Sequence, residues 1–600
     1  MSSVDVLIVG AGPSGLAAAC ELIRNGVSSI LIIDRLDAPV KQTKASVLWP
    51  RSLELLANYD GVLDAIHDHC EYVRQVKFYT ETSVLTHVKL GDRFASRFQY
   101  GALLEQWYTE KVLKAYVDKH NVVTKRNAEL VAFSYVSNSA DTIEATILID
   151  KGLPTERTTV VRCKYLVGCD GARSSVRRLM NCAFQGIVLP YAFIGAHFTS
   201  STQVAVQPDE MRMSSYRAGM AFLTPMPNKS YLVAIDLSAE QDAPYCDPHH
   251  VDTHGMPIQL EFTKEQLQSL ISERCVAVTI DHVIWSTHFR VNKRLAETYS
   301  DGNRIFLAGD ACHCHTPLGG QGMNTGIQDA VNLGWKLALV LQGKAEPSLL
   351  TTYGTERRLV GEELIAFTTR AQNISSNRTP LVQFFRNNAL RVLTSLPFVV
   401  DTIAATIGET IVAYRASPLS VENWVLPPIF PYILYRRRQN ILRIFHARVV
   451  AGGRAPVLDN TPLTFHTTPG FKLIFFQGAP GHTVSPLTYD QLVAVGREVQ
   501  LLTKGIVADF KVIPASEANN HDMYGVKGQC LFLVRPDGYV GLRSEPVSMD
   551  DVLRYLKHRV LLTSVPDTGS FKPTAFDWVP YVLLTLAIGG LLTTAIYLVK

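Results

Sequence analysis

The feature that most constrains this fold is the N-terminal segment VDVLIVGAGPSGLAAACELIRNGVSSILIIDR, residues 4–35. Its apolar runs and helical spacing predict a strand, a glycine turn, a helix and a second strand in that order. Gly10, Gly12 and Gly15 form GxGxxG in the turn, and Asp34 follows the second strand. This order predicts a Rossmann-type α/β unit that binds a dinucleotide, either NAD or FAD.

Each part of the unit has a physical role. The first glycine permits the tight turn, the second lets the backbone approach a pyrophosphate, and the third lets the helix pack on the strand. The helix N-terminus offers free N–H groups to the phosphates, and the aspartate can accept hydrogen bonds from ribose hydroxyls. The predicted cofactor contacts in this unit are Gly10, Gly12, Ser14, Gly15, Asp34 and Arg35.

Composition narrows the possible classes of protein. The chain has 600 residues, 47% of them hydrophobic and 19% charged, which is enough for several domains with large cores. A net charge of +4 on a chain of this size argues against nucleic-acid binding. The ten cysteines are scattered without a CxxC pair, which is typical of reduced thiols and not of a disulfide framework.

The C-terminal end predicts a membrane anchor. Residues 578–599 carry no charge, and 22 residues of helix would span about 33 Å, enough for a bilayer core of about 30 Å. We expect a single-pass tail in an intracellular membrane with the remaining domains on the cytosolic side; the alternative is a buried core helix. The aromatic and basic residues 424–448 predict either a membrane-surface segment or a linker with a solvated basic face.

Two further motifs follow the glycine turn along the chain. YLVGCDGARSSVRR spans residues 165–178, and GDACHCHTPLGGQGMNTG spans residues 309–326. With GxGxxG, and in this order, they resemble the flavoprotein aromatic hydroxylase family, the single-component FAD-dependent monooxygenases related to para-hydroxybenzoate hydroxylase. The resemblance extends over residues 1–420.

The resemblance implies further cofactor-binding residues. The second motif matches the family's Asp-Gly motif at Asp170, and the third matches its Gly-Asp motif, in which Asp310 would hold the ribityl chain. A helix that starts near Met323 would direct its positive end at the N1–C2 edge of the flavin. The complete set of FAD contacts implied in these regions is Lys44, Arg51, Gln106, Asp170, Asp310, Gly319, Gly320, Gly322, Met323 and Asn324.

Cys312, His313, Cys314 and His315 form a run of metal-ligating residue types within the third motif. Adjacent residues on an extended segment point in alternate directions, so the four side chains cannot all face one ion. We therefore expect no metal site here.

The C-terminal third resembles the phenol-hydroxylase branch of the family at YRASPLS (414–420), GGRAP (452–456) and VRPDGYVGLR (534–543). That branch carries a C-terminal thioredoxin-like domain. Here this region has Cys530 and no CxxC pair, so we expect a redox-inert domain used for packing or dimerisation.

The predicted fold class is α/β, with a Rossmann-type FAD-binding domain, a mixed β-sheet substrate domain, a thioredoxin-like domain and a transmembrane helix. The predicted boundaries are 1–180 and 293–370 for the FAD-binding domain, 181–292 for the substrate domain, 371–448 for a helical and basic/aromatic linker, 449–568 for the thioredoxin-like domain, and 578–599 for the tail.

The resemblance implies that NADPH or NADH reduces FAD, and that a flavin C4a-hydroperoxide formed with O2 hydroxylates a phenolic or polyketide-type aromatic substrate in secondary metabolism. The backbone carbonyl of Pro317 would face the attacked ring's hydroxyl. Phenol hydroxylases of this branch carry an Asp where this chain has Ser46, and a serine cannot act as a carboxylate base. Pro317, Ser46 and Tyr216 are the candidate catalytic residues, and Arg217 and Tyr231 are further candidates for substrate contact.

Two alternative functions stay open on these residues. The same flavin site could carry out epoxidation or Baeyer–Villiger oxidation of a lipophilic non-phenolic substrate, which the absence of the carboxylate at Ser46 favours. A non-catalytic, membrane-tethered flavoprotein scaffold is the third alternative, against which the intact motif residues argue. A homodimer is compatible with each of them.

Overall fold

The fold is taken from a computed structural model that describes residues 2–41, 45–80, 83–136, 139–201, 207, 209–216, 219–243, 262–274, 278–302, 304–424, 449–458, 467–478, 486–566 and 568. Lys44, Arg217, most of the basic and aromatic segment 424–448, and the apolar segment 578–599 lie outside these ranges.

Within the described ranges, the strands form four sheets. In chain order they are β1 (Ser2–Val9), β2 (Ile30–Ile33), β3 (Val47–Leu48), β4 (Glu71–Val73), β5 (Gln75–Tyr79), β6 (Val84–Lys89), β7 (Gly101–Leu103), β8 (Val123–Lys125), β9 (Ala128–Val136), β10 (Ser139–Ile149), β11 (Arg157–Gly168), β12 (Phe184–Thr199), β13 (Glu210–Tyr216), β14 (Gly219–Met226), β15 (Ser230–Leu237), β16 (His282–Ala296), β17 (Ile305–Leu307), β18 (His313–Cys314), β19 (Val421–Trp424), β20 (Phe471–Phe476), β21 (Val507–Ile513), β22 (Cys530–Val534) and β23 (Val540–Glu545).

The helices cover the sheets and connect them. In chain order they are α1 (Pro13–Arg24), α2 (Pro50–Leu56), α3 (Val62–His67), α4 (Gln106–Lys119), α5 (Ser175–Leu179), α6 (Ala239–Asp242), α7 (Lys264–Arg274), α8 (Gly322–Leu341), α9 (Thr351–Ser375), α10 (Pro380–Leu393), α11 (Pro397–Ile407), α12 (Tyr489–Leu502), α13 (Ala518–Tyr524) and α14 (Met549–His558).

The first sheet contains the predicted dinucleotide-binding unit. Its order is β8-β2-β1-β11-β10-β9, with β17 paired to β11. Strand β1 is parallel to both β2 and β11, so the glycine turn after β1 emerges at the carboxyl edge of three parallel strands. The apolar residues of β1 and β2 are buried on both faces, as expected for a parallel sheet covered by helices. This confirms the Rossmann-type α/β unit of the predicted fold.

The second sheet is largely antiparallel, with the order β18-β16-β12-β15-β14-β13-β5-β6. One face packs on helix α7 through Ile194, Leu223 and Leu267. The other face carries Met213, which packs near Val47 and Trp49, at and directly after strand β3. Alternate residues of a strand point to opposite faces of the sheet. One face of this sheet therefore forms a core with α7, and the other face, which carries Met213, is called the wall below.

The second sheet differs in extent from the substrate domain predicted over 181–292. Strands β5 and β6 come from the N-terminal third of the chain, and β5 joins the sheet in parallel with β13. No sequence motif predicts the pairing of β5 with β13, because the two strands are about 130 residues apart and only the folded chain brings them together.

The third sheet, β19-β23-β22-β20-β21, lies in the C-terminal part of the chain. Strands β20 and β21 are parallel, whereas β22 is antiparallel to both β20 and β23. Its core includes Trp335 from α8, which meets Phe471 edge-on at 5.7 Å between ring centroids. Strand β19 joins this sheet, so the linker predicted over 371–448 contributes an element to the C-terminal unit.

Among the described helices, none is on its own long and apolar enough to cross a bilayer. Helices α10 and α11 meet these criteria of length and composition only when taken together, and they are bent by 102° relative to each other.

Candidate functional site

The glycine turn after β1 is built around Gly10. Gly10 has φ +106°, a conformation that side chains rarely adopt, and its N–H donates to the carbonyl of Ile33 at 2.8 Å. A Cβ at this position would lie 2.3 Å from the carbonyl oxygen of Cys169. At Gly12, by contrast, an added Cβ would meet no atom within 4 Å. Gly10 therefore packs tightly against Cys169, at the end of β11. The space at Gly12, by the N-terminus of α1, is open.

Asp34 lies beside this opening, at the end of β2. Its carboxylate accepts hydrogen bonds from the N–H of Ala11 at 2.7 Å and of Leu36 at 2.9 Å. The neighbouring Arg35 is exposed, and burial together with repulsion from Arg35 lowers the pKa of Arg173. Residues of the first and second motifs are therefore close together, and they give this opening both a carboxylate and cationic side chains.

Asp170 lies two residues after strand β11, next to Cys169, whose carbonyl packs against the glycine turn. One carboxylate oxygen, Oδ2, accepts from the backbone N–H groups of Ser175 at 2.6 Å and Val176 at 3.2 Å. The other oxygen, Oδ1, is buried without a hydrogen-bond partner among the described residues. Burial raises the pKa of this carboxyl group. Asp170 therefore fixes the start of helix α5 and keeps one oxygen available to a ligand group.

The third motif reaches the glycine turn through Ser14. Gly309 has φ +65°, and a Cβ there would lie 2.3 Å from the hydroxyl oxygen of Ser14. A Cβ on Gly326 would lie 2.4 Å from the same oxygen. The next residue, Asp310, is exposed at the rim of this contact. The three motifs, separated by up to 300 residues, therefore meet at one edge of the parallel sheet.

A buried charge cluster that sequence reasoning did not identify lies under this loop. Asp329 of α8 accepts from the N–H of Gly309 at 3.0 Å, from His313 Nε2 at 2.8 Å and from Arg357 Nε at 2.6 Å. Burial opposes ionisation of Asp329, but Arg357 and His313 outweigh it, and the pKa of Asp329 is lowered. We call Asp329, His313 and Arg357 the loop cluster. The available signal was an acidic residue beside the apolar positions Ile327, Ala330 and Val331 of the predicted long helix, because an acidic residue needs a partner when it is buried.

The glycine loop of the third motif packs on the segment around β3. The indole N–H of Trp49 donates to the carbonyl of Gly319 at 2.8 Å, and a Cβ on Gly320 would lie 2.5 Å from Val47. Asn324 is fully buried, accepts from the N–H of Trp49 at 2.8 Å and donates to the carbonyl of Val47 at 2.9 Å. This loop therefore has a fixed position against β3.

Helix α8 begins at the end of that loop. Gly322 is its first residue and Met323, the second, is buried, which agrees with the helix start expected near Met323. The side chain of Gln321, at the N-cap, donates to the carbonyl of Thr406 at 2.8 Å. The carbonyl of Pro317 accepts from the N–H of Gly320 at 3.0 Å, and the Pro317 ring is exposed.

The remaining predicted site residues, Ser46, Gln106 and Tyr216, do not lie together in one place. Ser46 is half-buried directly before β3, and its carbonyl accepts from Leu104 at 3.0 Å. Gln106 begins helix α4 and donates to Glu110 at 2.9 Å. Tyr216 ends strand β13 opposite Gly219. Ser46 therefore lies beside the glycine loop, whereas Gln106 and Tyr216 begin or end elements outside it.

Arg51 and Tyr231 occupy places that the sequence did not suggest. Arg51 pairs with Glu54 at 2.9 Å, donates to the carbonyl of Asp537 at 2.5 Å and lies over the ring of Tyr539. It therefore faces the C-terminal unit. Tyr231 packs with the core under α7, on the sheet face opposite the wall that carries Met213.

The residues of the Cys-His-Cys-His run have separate local partners. His313 pairs with Asp329, the thiol of Cys314 lies 3.7 Å from the carbonyl of Asp310, and His315 Nδ1 lies 2.7 Å from the carbonyl of Thr316. Burial and the neighbouring His313 lower the pKa of His315 to about 4. Over the described ranges, no group of three or more His, Cys, Asp or Glu side chains could hold a metal ion.

The second sheet carries an apolar row on the side away from α7. Met213 pairs with Phe222, and Phe222 pairs in turn with Ala234. Met213 packs against the cluster of Val47 and Trp49, which hold the glycine loop. An apolar surface near a glycine-rich loop suits a hydrophobic ring compound.

These features fit a bound FAD. The open helix N-terminus at Gly12 suits a pyrophosphate, and the carboxylate of Asp34 suits ribose hydroxyls. The buried oxygen of Asp170 without a described partner and the exposed Asp310 give further polar contacts at the same edge.

Comparisons with known proteins agree with this fit. A family model described as "FAD binding domain" matches residues 3–368. The 12-dehydrotetracycline 5-monooxygenase/anhydrotetracycline 6-monooxygenase of Streptomyces rimosus is 30% identical over 563 residues, which are 92% of this chain and 97% of that protein. Pentachlorophenol 4-monooxygenase of Sphingobium chlorophenolicum is 32% identical over 362 residues, so the match covers 60% of this chain and 63% of that relative.

A solved structure gives the same result. The OxyS anhydrotetracycline hydroxylase from Streptomyces rimosus is 25% identical, with a TM-score of 0.67 over 92% of this chain and 98% of that chain. The resemblance inferred from the three motifs, the FAD cofactor and the assignment as an oxidoreductase are thereby confirmed. The family model matches more than half of this chain, and the Streptomyces rimosus monooxygenase matches 92% of it. The chain therefore belongs to the FAD-binding family of flavoprotein aromatic hydroxylases and is an FAD-dependent monooxygenase.

Proposed function

We propose that this chain hydroxylates a phenolic or polyketide-type aromatic ring in secondary metabolism, using O2 and NADPH or NADH. The observation that carries the proposal is the apolar row of Met213 and Phe222, which packs through Met213 on the cluster of Trp49, the residue that bonds Gly319. The relatives that act on anhydrotetracycline and pentachlorophenol, by their names, support a ring substrate.

The chain's own residues would hold FAD by its two ends. The N-terminus of α1 would bind the pyrophosphate and Asp34 the ribose, while Asp310 would bind the ribityl chain. The N-terminus of α8 would face the ring, where its positive end favours negative charge. When bound, FAD supplies the hydride acceptance and oxygen activation that no side chain can supply.

The residues around the glycine loop would orient the substrate and exclude water. The carbonyl of Pro317 has a second lone pair beyond the one that accepts from Gly320, so it can also accept from a substrate hydroxyl. The indole of Trp49 and the amide of Asn324 hold the loop in place. Water exclusion from such a site prevents wasteful side reactions.

A second candidate function is epoxidation or Baeyer–Villiger oxidation of a lipophilic, non-phenolic substrate. The observation in its favour is Ser46, because a hydroxyl in that place beside β3 cannot deprotonate a phenol as a carboxylate does. The non-catalytic scaffold is the weakest of the three, since the open glycine turn and the Asp34 carboxylate are intact.

The cofactor part of the proposal is tested by D310A. We expect purified D310A to retain less FAD than the wild type, measured from the flavin absorbance per protein, because a polar contact to the cofactor is lost. D301N, at an exposed aspartate after β16, is the matched control and should keep its flavin. Full FAD occupancy in D310A would remove Asp310 from the site.

The reaction is tested by anaerobic reduction of the enzyme-bound flavin with NADPH, with and without a panel of phenols and polyketide rings. Acceleration by a ring compound, followed in air by a product that has gained one oxygen atom on the ring, is the expected result. Indifference to every ring compound, with an epoxide or ester formed from an alkene or ketone, would establish the second candidate instead.

We also propose three features outside the catalytic site. The unit around β20–β23 would be a thioredoxin-like domain without redox activity, which the β-α-β-α-β-β-α order of β20 to α14 and the fully buried Cys530 support. Residues 578–599 would anchor the chain in an intracellular membrane with its catalytic domains in the cytosol, and the C-terminal unit could pair two copies. Removal of residues 576–600 should release an active enzyme from the membrane pellet; retention there would disprove the tail anchor.

A further inference from the structure

Helix α10 presents its apolar side to solvent. Leu381, Phe384, Phe385 and Val392 are 57%, 62%, 51% and 63% exposed. Their spacing of three, four and seven places them on one face of the helix. Every residue of α10 is described, and none of them is buried. This is the reverse of the usual arrangement, in which a surface helix turns its apolar stripe towards the core.

The apolar surface continues across the bend into α11. Leu393, Leu396 and Phe398 are 43%, 36% and 55% exposed. We call this surface, with the four residues of α10, the α10–α11 face. Contiguous exposed apolar patches of this kind mark sites of interaction with another molecule or a membrane.

The α10–α11 face belongs to a well-anchored part of the fold. Arg386 donates to the hydroxyl of Ser215 at 2.6 Å, and Thr394 is bonded to Thr86 at 2.6 Å. On the inner side of α11, Val400 and Ala404 are buried in the cluster that contains Trp49. The exposure is therefore a property of a fixed helix pair.

The charges on helix α10 are of one sign. It carries Arg386 and Arg391 and no Asp or Glu, and Asp401, the acidic residue of α11, pairs with Arg93. Arg391 is exposed directly beside Val392. An amphipathic helix with large apolar residues on one side and arginines at its edges is typical of proteins that lie in the plane of a membrane surface and prefer anionic lipids.

We propose that the α10–α11 face docks on the surface of an anionic lipid bilayer. The side chains of Leu381, Phe384, Phe385, Val392 and Phe398 enter the boundary between headgroups and acyl chains, and Arg391 faces the lipid phosphates. This proposal goes beyond the oxygenation reaction and does not depend on which substrate the enzyme takes.

A bilayer suits this face better than other occupants. Two copies paired through α10 would cover the apolar residues but would offer Arg391 no acidic partner on that helix, whereas anionic lipids offer it phosphates. The chain's own segment 578–599 carries no charge, so it offers no partner to Arg391, whereas the phosphates of an anionic bilayer do.

Docking in this way would bring the catalytic site to the membrane. The inner side of α11 packs in the same hydrophobic cluster as Trp49, which bonds Gly319, and Gln321 donates to the carbonyl of Thr406. One helix pair therefore has its outer side on the proposed lipid surface and its inner side on the glycine loop. A lipophilic substrate dissolved in the bilayer would have a short path to the site.

The test uses the full-length chain with F384W, which adds one tryptophan on the face to the six already present. L501W is the matched control, since Leu501 is 79% exposed on α12 in the C-terminal unit. Each protein is mixed with phosphatidylcholine/phosphatidylserine vesicles that contain lipids brominated on the acyl chain, and the wild-type emission is subtracted. Both substitutions replace exposed side chains, so both variants should fold.

We expect the added tryptophan of F384W to shift its emission to shorter wavelength and to lose about half of it to the bromolipid, as a side chain at the acyl boundary would. The added tryptophan of L501W should stay unquenched. If F384W sediments with the vesicles but its added emission is unquenched, another segment binds the membrane and the proposal is wrong. A blue shift without vesicles that grows with protein concentration would instead assign the face to a second copy.

Arg391→Glu separates the lipid charge from the apolar contact. The double variant F384W/R391E should lose quenching on vesicles that contain phosphatidylserine, because the glutamate repels the anionic headgroups. Equal quenching of F384W and F384W/R391E on these vesicles would overturn the anionic-lipid part of the proposal.

Discussion

Glu356 and Arg357 are neighbours on helix α9, yet they belong to two separate buried charge clusters. Arg357 pairs with Asp329 in the loop cluster, beneath Gly309. Glu356 accepts two hydrogen bonds from Arg535, which directly follows strand β22, at 2.6 and 2.9 Å, and one from Lys336 at 2.8 Å. One turn of helix therefore supports the cofactor loop on one side and joins the C-terminal unit on the other.

The second cluster, which we call the interface cluster, consists of Lys336, Glu356, Arg535 and Asp537. Arg535 also pairs with Asp537 at 2.6 Å, so two cationic and two anionic groups balance. Burial lowers the pKa of Lys336 to about 8 although Glu356 acts against the shift. The pKa of Glu356 is lowered, because Arg535 and Lys336 outweigh its burial.

The two clusters differ in what they hold. The loop cluster fixes a single backbone N–H beside a ligand site, within one domain. The interface cluster lies between elements about 180 residues apart and fixes the contact between two units. Removing one charge from the loop cluster should therefore weaken cofactor binding. Removing one charge from the interface cluster should lower the free energy of unfolding.

The largest effect is expected for Arg535→Met. This change leaves Glu356 and Asp537 buried without their main partner, which costs about 3–5 kcal/mol of unfolding free energy. Urea unfolding followed by circular dichroism measures it. R497M, at an exposed arginine of α12, should change the free energy of unfolding by no more than about 0.5 kcal/mol. Equal stability of R535M and R497M would show that the interface cluster does not hold the units together.

The second prediction concerns Asp329→Asn. An amide has one acceptor oxygen where the carboxylate has two, so it cannot serve Gly309, His313 and Arg357 together. We expect FAD to bind about tenfold more weakly, which corresponds to about 1.4 kcal/mol, in a fluorescence titration of the apoprotein. The control is D60N, at an aspartate whose side chain is 83% exposed. Unchanged FAD affinity in D329N would separate the loop cluster from the cofactor.

The third prediction sharpens the comparison with a buried carboxyl that has no cationic hydrogen-bond partner. Glu409 accepts from Thr325 at 3.1 Å and from Gln328, and burial raises its pKa to about 8. In the unfolded chain a glutamate has a pKa of about 4.3. Between these values the folded state holds one more proton, so stability falls as pH rises, by about 1.4 kcal/mol per pH unit.

Glu409→Gln should abolish this slope. The measurement is the free energy of unfolding at a series of pH values from 5 to 8 for the wild type, E409Q and E498Q, the last at an exposed glutamate of α12. We expect E498Q to follow the wild type and E409Q to show a flatter profile. Parallel profiles for all three proteins would mean that Glu409 is ionised in the folded state.

The smallest effect is expected for Arg93→Ala. Arg93 pairs with Asp401 of α11 at 3.0 Å, but both side chains are about half exposed, at 42% and 54%. Solvent and salt screen such a pair, so its loss should cost less than about 0.5 kcal/mol in a thermal unfolding experiment. A loss of unfolding free energy as large as that of R535M would contradict the view that charge pairs stabilise this fold strongly only when they are buried.

The sequence was sufficient for the parts of the site that are local. The strand-turn-helix at Gly10, the helix start near Met323 and the position of Asp34 after a strand all follow from short-range patterns. The order of the three motifs also gave the family, because each motif must meet the same cofactor. These are constraints that a few adjacent residues carry by themselves.

Other residues could not be placed from the sequence. Arg51 matched a family motif, yet its guanidinium faces Asp537 and Tyr539 of the C-terminal unit. Asp329 and Arg357 were not predicted as partners, and only the packing of α8 on α9 brings them together. Their importance depends on burial, which a local pattern does not report.

By itself, the sequence determined the dinucleotide-binding unit, the glycine loops and the family, because these depend on local backbone geometry and residue type. The tertiary structure alone decided that β5 joins the second sheet, that Glu356 and Arg357 serve different clusters, and that the apolar side of α10 faces solvent. The physical reason is that burial and charge pairing arise between distant segments, and the same residues would have other partners if the chain folded differently.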